Sequence, residues 1–228
     1  MMSFNESRRL GIGGSDVAAI MGLSPWKTAC DIYFEKVQGN TTPDNKNLAR
    51  GRKLEKYILE EYSDQHEVEL DTSLPFIQSK ELPYLIGNID ARVKGENVLV
   101  EAKSAGCHPS QWKDDLPIYY RTQVAHYAMI SDCDRVDIPV MFDRWTYACF
   151  SYQRDPFFEK SIKEACVRFW EENVLKTTPP EPRSVENARS MYQISKEATL
   201  PANQEVKESL EKIIIIQISM LATTIFLD

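Results

Sequence analysis

Residues 84–104 read Tyr84-Leu85-Ile86-Gly87-Asn88-Ile89-Asp90-Ala91-Arg92-Val93-Lys94-Gly95-Glu96-Asn97-Val98-Leu99-Val100-Glu101-Ala102-Lys103-Ser104. Two apolar runs, 84–93 and 98–103, flank the turn-forming Lys94-Gly95-Glu96-Asn97, which is the pattern of a β-hairpin. Side chains alternate across a strand, so Glu101 and Lys103 share a face. The hairpin brings Asp90 across from them. Two carboxylates and an ammonium then meet beside apolar Val98, Leu99 and Val100. Charges in such surroundings are costly unless they hold one another or a cation.

A divalent cation resolves that cost. Two carboxylates, a backbone carbonyl and waters make an all-oxygen shell that suits Mg²⁺ or Mn²⁺ and not zinc. Lys103 cannot be a ligand while protonated, but it could orient or deprotonate an attacking water, or neutralise a developing phosphorane. Phosphodiester hydrolysis needs these parts. Yet Glu-x-Lys alone is common, and a solvated hairpin with an ordinary Glu/Lys pair carries the same residues.

Working outward, the flanking elements predict a mixed α/β (α+β) domain. Helices are expected at 15–21, capped by Ser15 or Asp16 and stopped by Gly22, at 26–38 ending at Gly39, and at 47–64. Beyond the hairpin come a helix at 118–130, a second hairpin from 136–142 and 146–152, and a long helix at 156–175. The order ααα-ββ-α-ββ-α gives a central sheet flanked by helices. Thr177–Arg183 contains three prolines and reads as a linker. The division is a domain over 1–176 and, over 177–228, a Pro-rich linker with a C-terminal apolar helix or interface segment. Residues 213–227 are almost wholly apolar but short of the ~20 residues that span a bilayer, so a packed or intersubunit segment is expected.

Composition excludes several classes. The 228 residues suit one large domain whose core needs no disulfide or structural metal. Five scattered cysteines (30, 107, 133, 149 and 166) form no CxxC, which argues against a zinc ribbon, a disulfide framework and a grouped iron–sulfur ligand set. Three histidines, His66, His108 and His126, have no zinc-site spacing. No P-loop pattern is present, so ATP-driven translocation is not encoded. The opening MMSFNESRRLG lacks an apolar core, so no secretory signal is expected and a reducing cytoplasm is the default. The net charge is −7, but residues 1–60 carry +2 and residues 61–228 carry −9. A local basic groove on an acidic body is compatible with phosphate binding.

Three features add to the hairpin. Arg8-Arg9-Leu10-Gly11-Ile12-Gly13-Gly14-Ser15-Asp16 places glycines before a helix start, where N–H groups and a hydroxyl can face an anion; a plain capped helix would read alike. Gly51-Arg52-Lys53-Leu54-Glu55 sets Glu55 among basic residues, or is simply a solvated face. Gln123 lies one turn from Tyr119 and Tyr127, or is an ordinary amide. Trp112 and Trp145 read as core or interface residues, while Trp26 and Tyr33 could flank a nucleic acid.

Taken in order, RRLGIGGSD, LSPWKTACDIYFEK, RGRKLEKYI, GNIDARV, VEAKS and RTQVAHYAMI resemble the YqaJ viral recombinase family, which includes the exonuclease of bacteriophage lambda. They cover residues 8 to about 130. The resemblance implies a restriction-endonuclease-like core of the PD-(D/E)xK class. It implies metal ligation by Asp90, Glu101 and the Ala102 carbonyl, with Glu55 as an accessory acidic group. Lys103 would assist the nucleophilic water, and Gln123 would be the active-site glutamine. Arg8 or Arg9, with Ser15, would form a 5′-phosphate pocket, and Lys46 and Arg52 would contact DNA. The motif's proline is Ile89 here, a position that shapes the strand. By the same resemblance the activity is Mg²⁺-dependent (or Mn²⁺-dependent) 5′→3′ digestion of linear double-stranded DNA to mononucleotides, leaving 3′ tails. A homotrimeric ring, a single-strand annealing partner, no membrane and a bacterial or phage-infected cytoplasm complete the implication. An endonuclease on the same fold, or a DNA-end scaffold with a vestigial site, are the competing readings.

Overall fold

A computed structural model describes residues 9–39, 46–112, 115–191, 204 and 206–212. The architecture is the expected mixed one, a central mixed sheet flanked by helices. The helices are α1 (Gly14–Ile20), α2 (Ala29–Val37), α3 (Lys46–His66), α4 (Ile118–Ser131), α5 (Pro156–Arg168) and α6 (Val185–Met191). The strands are β1 (Leu70–Asp71), β2 (Ile77–Gln78), β3 (Ile86–Gly87), β4 (Ala91–Val93), β5 (Val98–Val100), β6 (Lys103–Ser104), β7 (Arg135–Met141) and β8 (Tyr147–Gln153).

Local chemistry explains the helix ends. The Asp16 carboxylate accepts from Gly13 N–H at the start of α1 (3.1 Å), and Gly22, with φ +73°, follows its end. The start of α2 lies at Ala29, three residues beyond the expected 26. Thr28 and Asp31 form a reciprocal cap there: Asp31 accepts from Thr28 N–H (2.7 Å) and Thr28 Oγ1 from Asp31 N–H (3.3 Å). The long helix expected at 156–175 is α-helical only to Arg168; a π turn over Phe169–Val174 continues it.

Antiparallel β4–β5 and β7–β8 are the two expected hairpins, with Gly95 at φ +81° in the first turn. β5 and β6 both run parallel to β7, in registers Val98↔Arg135 and Lys103↔Val140. α4 makes the crossover that a parallel pair requires. Each of the two expected long strands is interrupted. The run 84–93 splits into β3, which pairs with β2 in a separate two-stranded sheet, and β4, which joins the central sheet. The run 98–103 breaks at Glu101-Ala102. The breaks fall beside Asp90 and at Glu101.

The sheet is covered on both faces. Leu99, Val136, Ile138 and Val140 pack with Val17, Val124 and Ala128 of α1 and α4, while Ala91, Val93, Val98 and Val100 pack with Leu59 and Tyr62 of α3. Double-sided burial accounts for the near-continuous apolar reading of β5 and β7. The first compact unit runs to Met191. Within it, the proline-rich stretch lies against α2: Cys30 Sγ is 3.3 Å from the carbonyls of Pro180 and Glu181, and Asn187 bonds Asp31 (3.0 Å) and Thr28 (2.8 Å). In the second unit, residues 206–212 are helical, and the apolar run 213–227 lies outside the described residues. No described helix is long and apolar enough to cross a membrane.

Candidate active site

The two strand interruptions create the site. Asp90 Oδ2 accepts the Ala102 N–H at 2.9 Å, so a carboxylate stands where a ladder carbonyl would otherwise be. Alternation along β5 sends Leu99 and Glu101 toward α4. There Glu101 Oε1 accepts from Lys103 Nζ and from Gln123 Nε2, both at 2.6 Å. Glu101 and Lys103 therefore do share a face, and Gln123 reaches it from the crossover helix. Gln123 Nε2 also lies 3.1 Å from the Tyr127 hydroxyl, and the Lys103 ammonium sits 5.3 Å from the centroid of the Tyr120 ring.

Glu101 is buried, and its Oε2 is the one carboxylate oxygen among the described buried side-chain atoms that lacks a hydrogen-bond partner. Burial first, then the Glu101 charge, pushes the Asp90 carboxyl up to about 8, against the opposing pull of Lys103; the Glu55 charge adds to the rise. Burial raises Glu101 as well, partly offset by Lys103. Burial pulls the Lys103 ammonium down, but Glu101 and Asp90 outweigh it and the net direction is up. Lys103 accordingly keeps its charge chiefly through Glu101, the carboxylate it touches.

Glu55 reaches this cluster from α3. That helix is fixed to the sheet by Tyr62, whose hydroxyl donates to buried Asp137 of β7 at 2.7 Å; Ser151 (2.8 Å) and Arg135 (3.2 Å) complete the Asp137 shell. Tyr62 follows Glu55 by seven residues and so shares its face. Among the described residues no three His, Cys, Asp or Glu side chains converge closely enough to hold a metal ion. Glu55 thus acts on Asp90 and Glu101 through its charge.

The other sequence-derived residues lie as follows. Arg8 is outside the described residues. Arg9 is exposed, with its guanidinium against Gly39, where an added Cβ would meet it at 2.9 Å. Ser15 is exposed in the first turn of α1, next to Gly14, whose missing Cβ would meet Tyr127 at 2.6 Å and Gln123 at 3.1 Å. The glycine-rich opening thus abuts the residues that hold Glu101. Lys46 and Arg52 are exposed on α3, and Ser104 Oγ lies 3.6 Å from where a Cβ on Gly51 would be. Trp112 is core, packed on Phe142 at 4.8 Å, whereas Trp145 is exposed. His126 is structural: its Nε2 lies 2.9 Å from the Ile86 carbonyl, and burial pushes its pKa down to about 4.

Sequence reading missed Tyr120 and the buried Asp16–Lys36 ion pair (2.6 Å). Tyr120 had a signal, because Tyr120, Gln123 and Tyr127 fall at i, i+3 and i+7 on one helical stripe. The Asp16–Lys36 pair had none, since it joins two helices.

Known proteins give this geometry a context. The chain is 25% identical over 174 residues to the uncharacterized protein YqaJ of Bacillus subtilis (strain 168), a match covering 74% of this chain. The chain spans about half the length (54%) of that relative. The fold is similar to that of an alkaline exonuclease of Laribacter hongkongensis, with a TM-score of 0.63 at 17% identity, covering 75% of this chain and 91% of that one. It is also similar to a phage related exonuclease of Haemophilus somnus 129PT, with a TM-score of 0.58 at 16% identity, covering 77% and 100%. The YqaJ-like viral recombinase domain matches residues 3–134, which hold every member of the cluster around Glu101. With more than half its length so matched, the chain belongs to the YqaJ-like viral recombinase family.

Proposed function

We propose that the protein is a Mg²⁺-dependent nuclease, Mn²⁺ being an alternative ion, that digests linear double-stranded DNA from 5′ to 3′ and leaves 3′ single-stranded tails for annealing-type recombination. The observation that carries this reading is the buried Asp90–Glu101–Lys103 cluster with its unpaired Glu101 Oε2. An unpartnered buried carboxylate oxygen is costly unless a cation meets it. Asp90, Glu101 and the Ala102 carbonyl would hold the ion in an all-oxygen donor set suited to a hard divalent cation, with Glu55 adding negative charge nearby. When bound, such an ion polarises the phosphate and makes water nucleophilic at neutral pH.

The chain's own groups supply the rest. Lys103 keeps positive charge beside the scissile phosphate and orients the attacking water. Gln123 fixes the Glu101 rotamer, and Tyr127 fixes Gln123. Ser15, with Arg8 or Arg9, binds the 5′-phosphate, while Lys46 and Arg52 contact the backbone. A homotrimeric ring threaded by the duplex, a single-strand annealing partner and a bacterial or phage-infected cytoplasm belong to the same reading, drawn from the family.

The test is a digestion time course on linear duplex labelled separately at each 5′ and 3′ end, with Mg²⁺ or EDTA, beside a covalently closed circle. Early release of 5′ label as mononucleotide, absent in EDTA and on the circle, is expected. Cutting of the circle would replace the exonuclease by an endonuclease. Intact DNA with ends still bound would leave a scaffold.

A further inference from the structure

Beyond the ion-binding cluster, a row of aromatic rings leads from Lys103 to the surface. The Lys103 ammonium is 5.3 Å from the Tyr120 ring centroid. Tyr120 meets Tyr119 edge-on at 4.6 Å, and Tyr119 meets Trp26 edge-on at 4.6 Å. The inner end is anchored, because Tyr120 also contacts buried Trp112 at 5.5 Å. The outer end is open, because Trp26 is 68% exposed.

Single exposed aromatics are ordinary, but Trp26 is the terminus of a continuous row that begins in the catalytic cluster. Its loop is also tied down. Ser24 Oγ accepts from both the Trp26 and Lys27 N–H groups at 3.2 Å, and Ser24 N–H donates to the Ala18 carbonyl at 3.1 Å. A T-shaped contact with Tyr119 can occupy at most one face of the indole, and the residue is otherwise open. An open π-face on a fixed loop, continuous with a phosphate-handling cluster, fits a flat aromatic ring carried on a phosphodiester chain.

We propose that Trp26, backed by Tyr119, is a stacking platform for an unpaired nucleobase of the strand under attack, at or next to the scissile nucleotide. The proposal rests on the nuclease reading above and adds the subsite that receives the base. Stacking is tolerant of base identity, so the platform accepts any sequence.

The test uses the full chain as wild type, Trp26→Ala and Trp26→Phe. The probe is a short linear duplex with 2-aminopurine at each of the first few 5′ positions in turn. Fluorescence is read with Ca²⁺ replacing Mg²⁺, so that binding is seen without cleavage. Quenching at one position is expected in the wild type and in Trp26→Phe. Trp26→Ala should leave the probe bright and weaken end binding roughly tenfold. An abasic residue at that position should cost the wild type the same amount and cost Trp26→Ala nothing more.

Quenching at no position, or equal quenching in Trp26→Ala, overturns the proposal. So does an equal loss by the variant on the abasic duplex, which would make Trp26 structural. A changed sedimenting mass of Trp26→Ala would assign the residue to a contact between copies and likewise overturns it. Cleavage is read separately with Mg²⁺. Cleavage without quenching removes the platform alone, quenching without wild-type cleavage removes the nuclease reading alone, and unbound ends remove both.

Discussion

The Asp90 carboxylate accepts the backbone N–H of Ala102 at 2.9 Å, joining the two places where the sheet is interrupted. Asp90 is thereby both a candidate ion-binding group and the latch that holds the Glu101-Ala102 break against its neighbour. Its carboxyl lies at about 8 in place of 3.8, with burial as the first cause. Between those values the folded protein holds a proton that the unfolded chain has lost, so stability falls as pH rises across that window. Thermal unfolding of metal-free protein should show this decline, and Asp90→Asn should flatten it. An identical slope in the variant would assign the decline to other groups.

Lys103 and an incoming cation compete for the same carboxylates. Lys103→Ala should lower cleavage by on the order of 10²-fold or more, with DNA ends still bound. The same change should tighten Mn²⁺ binding measured by calorimetry, because the ammonium no longer neutralises Glu101. Full activity in this variant would remove the role given to the lysine, and weaker Mn²⁺ binding would show that it supports the site.

Gln123 and Tyr127 act on Glu101 in series. Gln123→Leu should reduce metal affinity or rate on the order of 10–100-fold, the usual cost of losing an orienting partner. Tyr127→Phe should cost less, and the double variant should resemble Gln123→Leu alone. Additive losses would mean that Tyr127 has an independent task.

Asp16 and Lys36 form an ion pair in which both side chains are 2% exposed. Lys36→Met removes the Lys36 ammonium from a buried carboxylate and should destabilise the fold by about 3–5 kcal/mol. Replacing both residues with apolar ones of similar volume should recover much of that loss. Urea unfolding distinguishes these outcomes; a loss under about 1 kcal/mol would place the pair with exposed ion pairs.

The elements that organise the site were legible because their signals are local. Turn chemistry at Lys94–Asn97 marked the first hairpin, and strand alternation placed Glu101 and Lys103 together. What the sequence did not disclose depends on non-local partners. The interruptions at 88–90 and 101–102 exist because Asp90 takes a ladder position, and the runs there remain apolar enough to read as unbroken strands. The start of α2 lies three residues beyond the expected 26 because the reciprocal Thr28–Asp31 cap, a pairing of side chains with backbone, decides it. Helix α6, at Val185–Met191, follows the prolines and is held through Asn187 to α2, a contact that no periodicity in its seven residues announces.

The parallel pairing of β5 and β6 with β7 also fixes when the site can exist during synthesis. Asp90, Glu101 and Lys103 leave the ribosome before α4 and before Arg135–Met141, the strand that β5 and β6 pair with in parallel. Parallel pairing cannot precede its crossover, and non-local strand pairing is slow. A nascent chain that has just exposed these three residues therefore has neither the Gln123 brace nor the β7 ladder. The three residues stay unassembled until the whole crossover has been translated, so a chain truncated before β7 carries the motif without a centre to hold it.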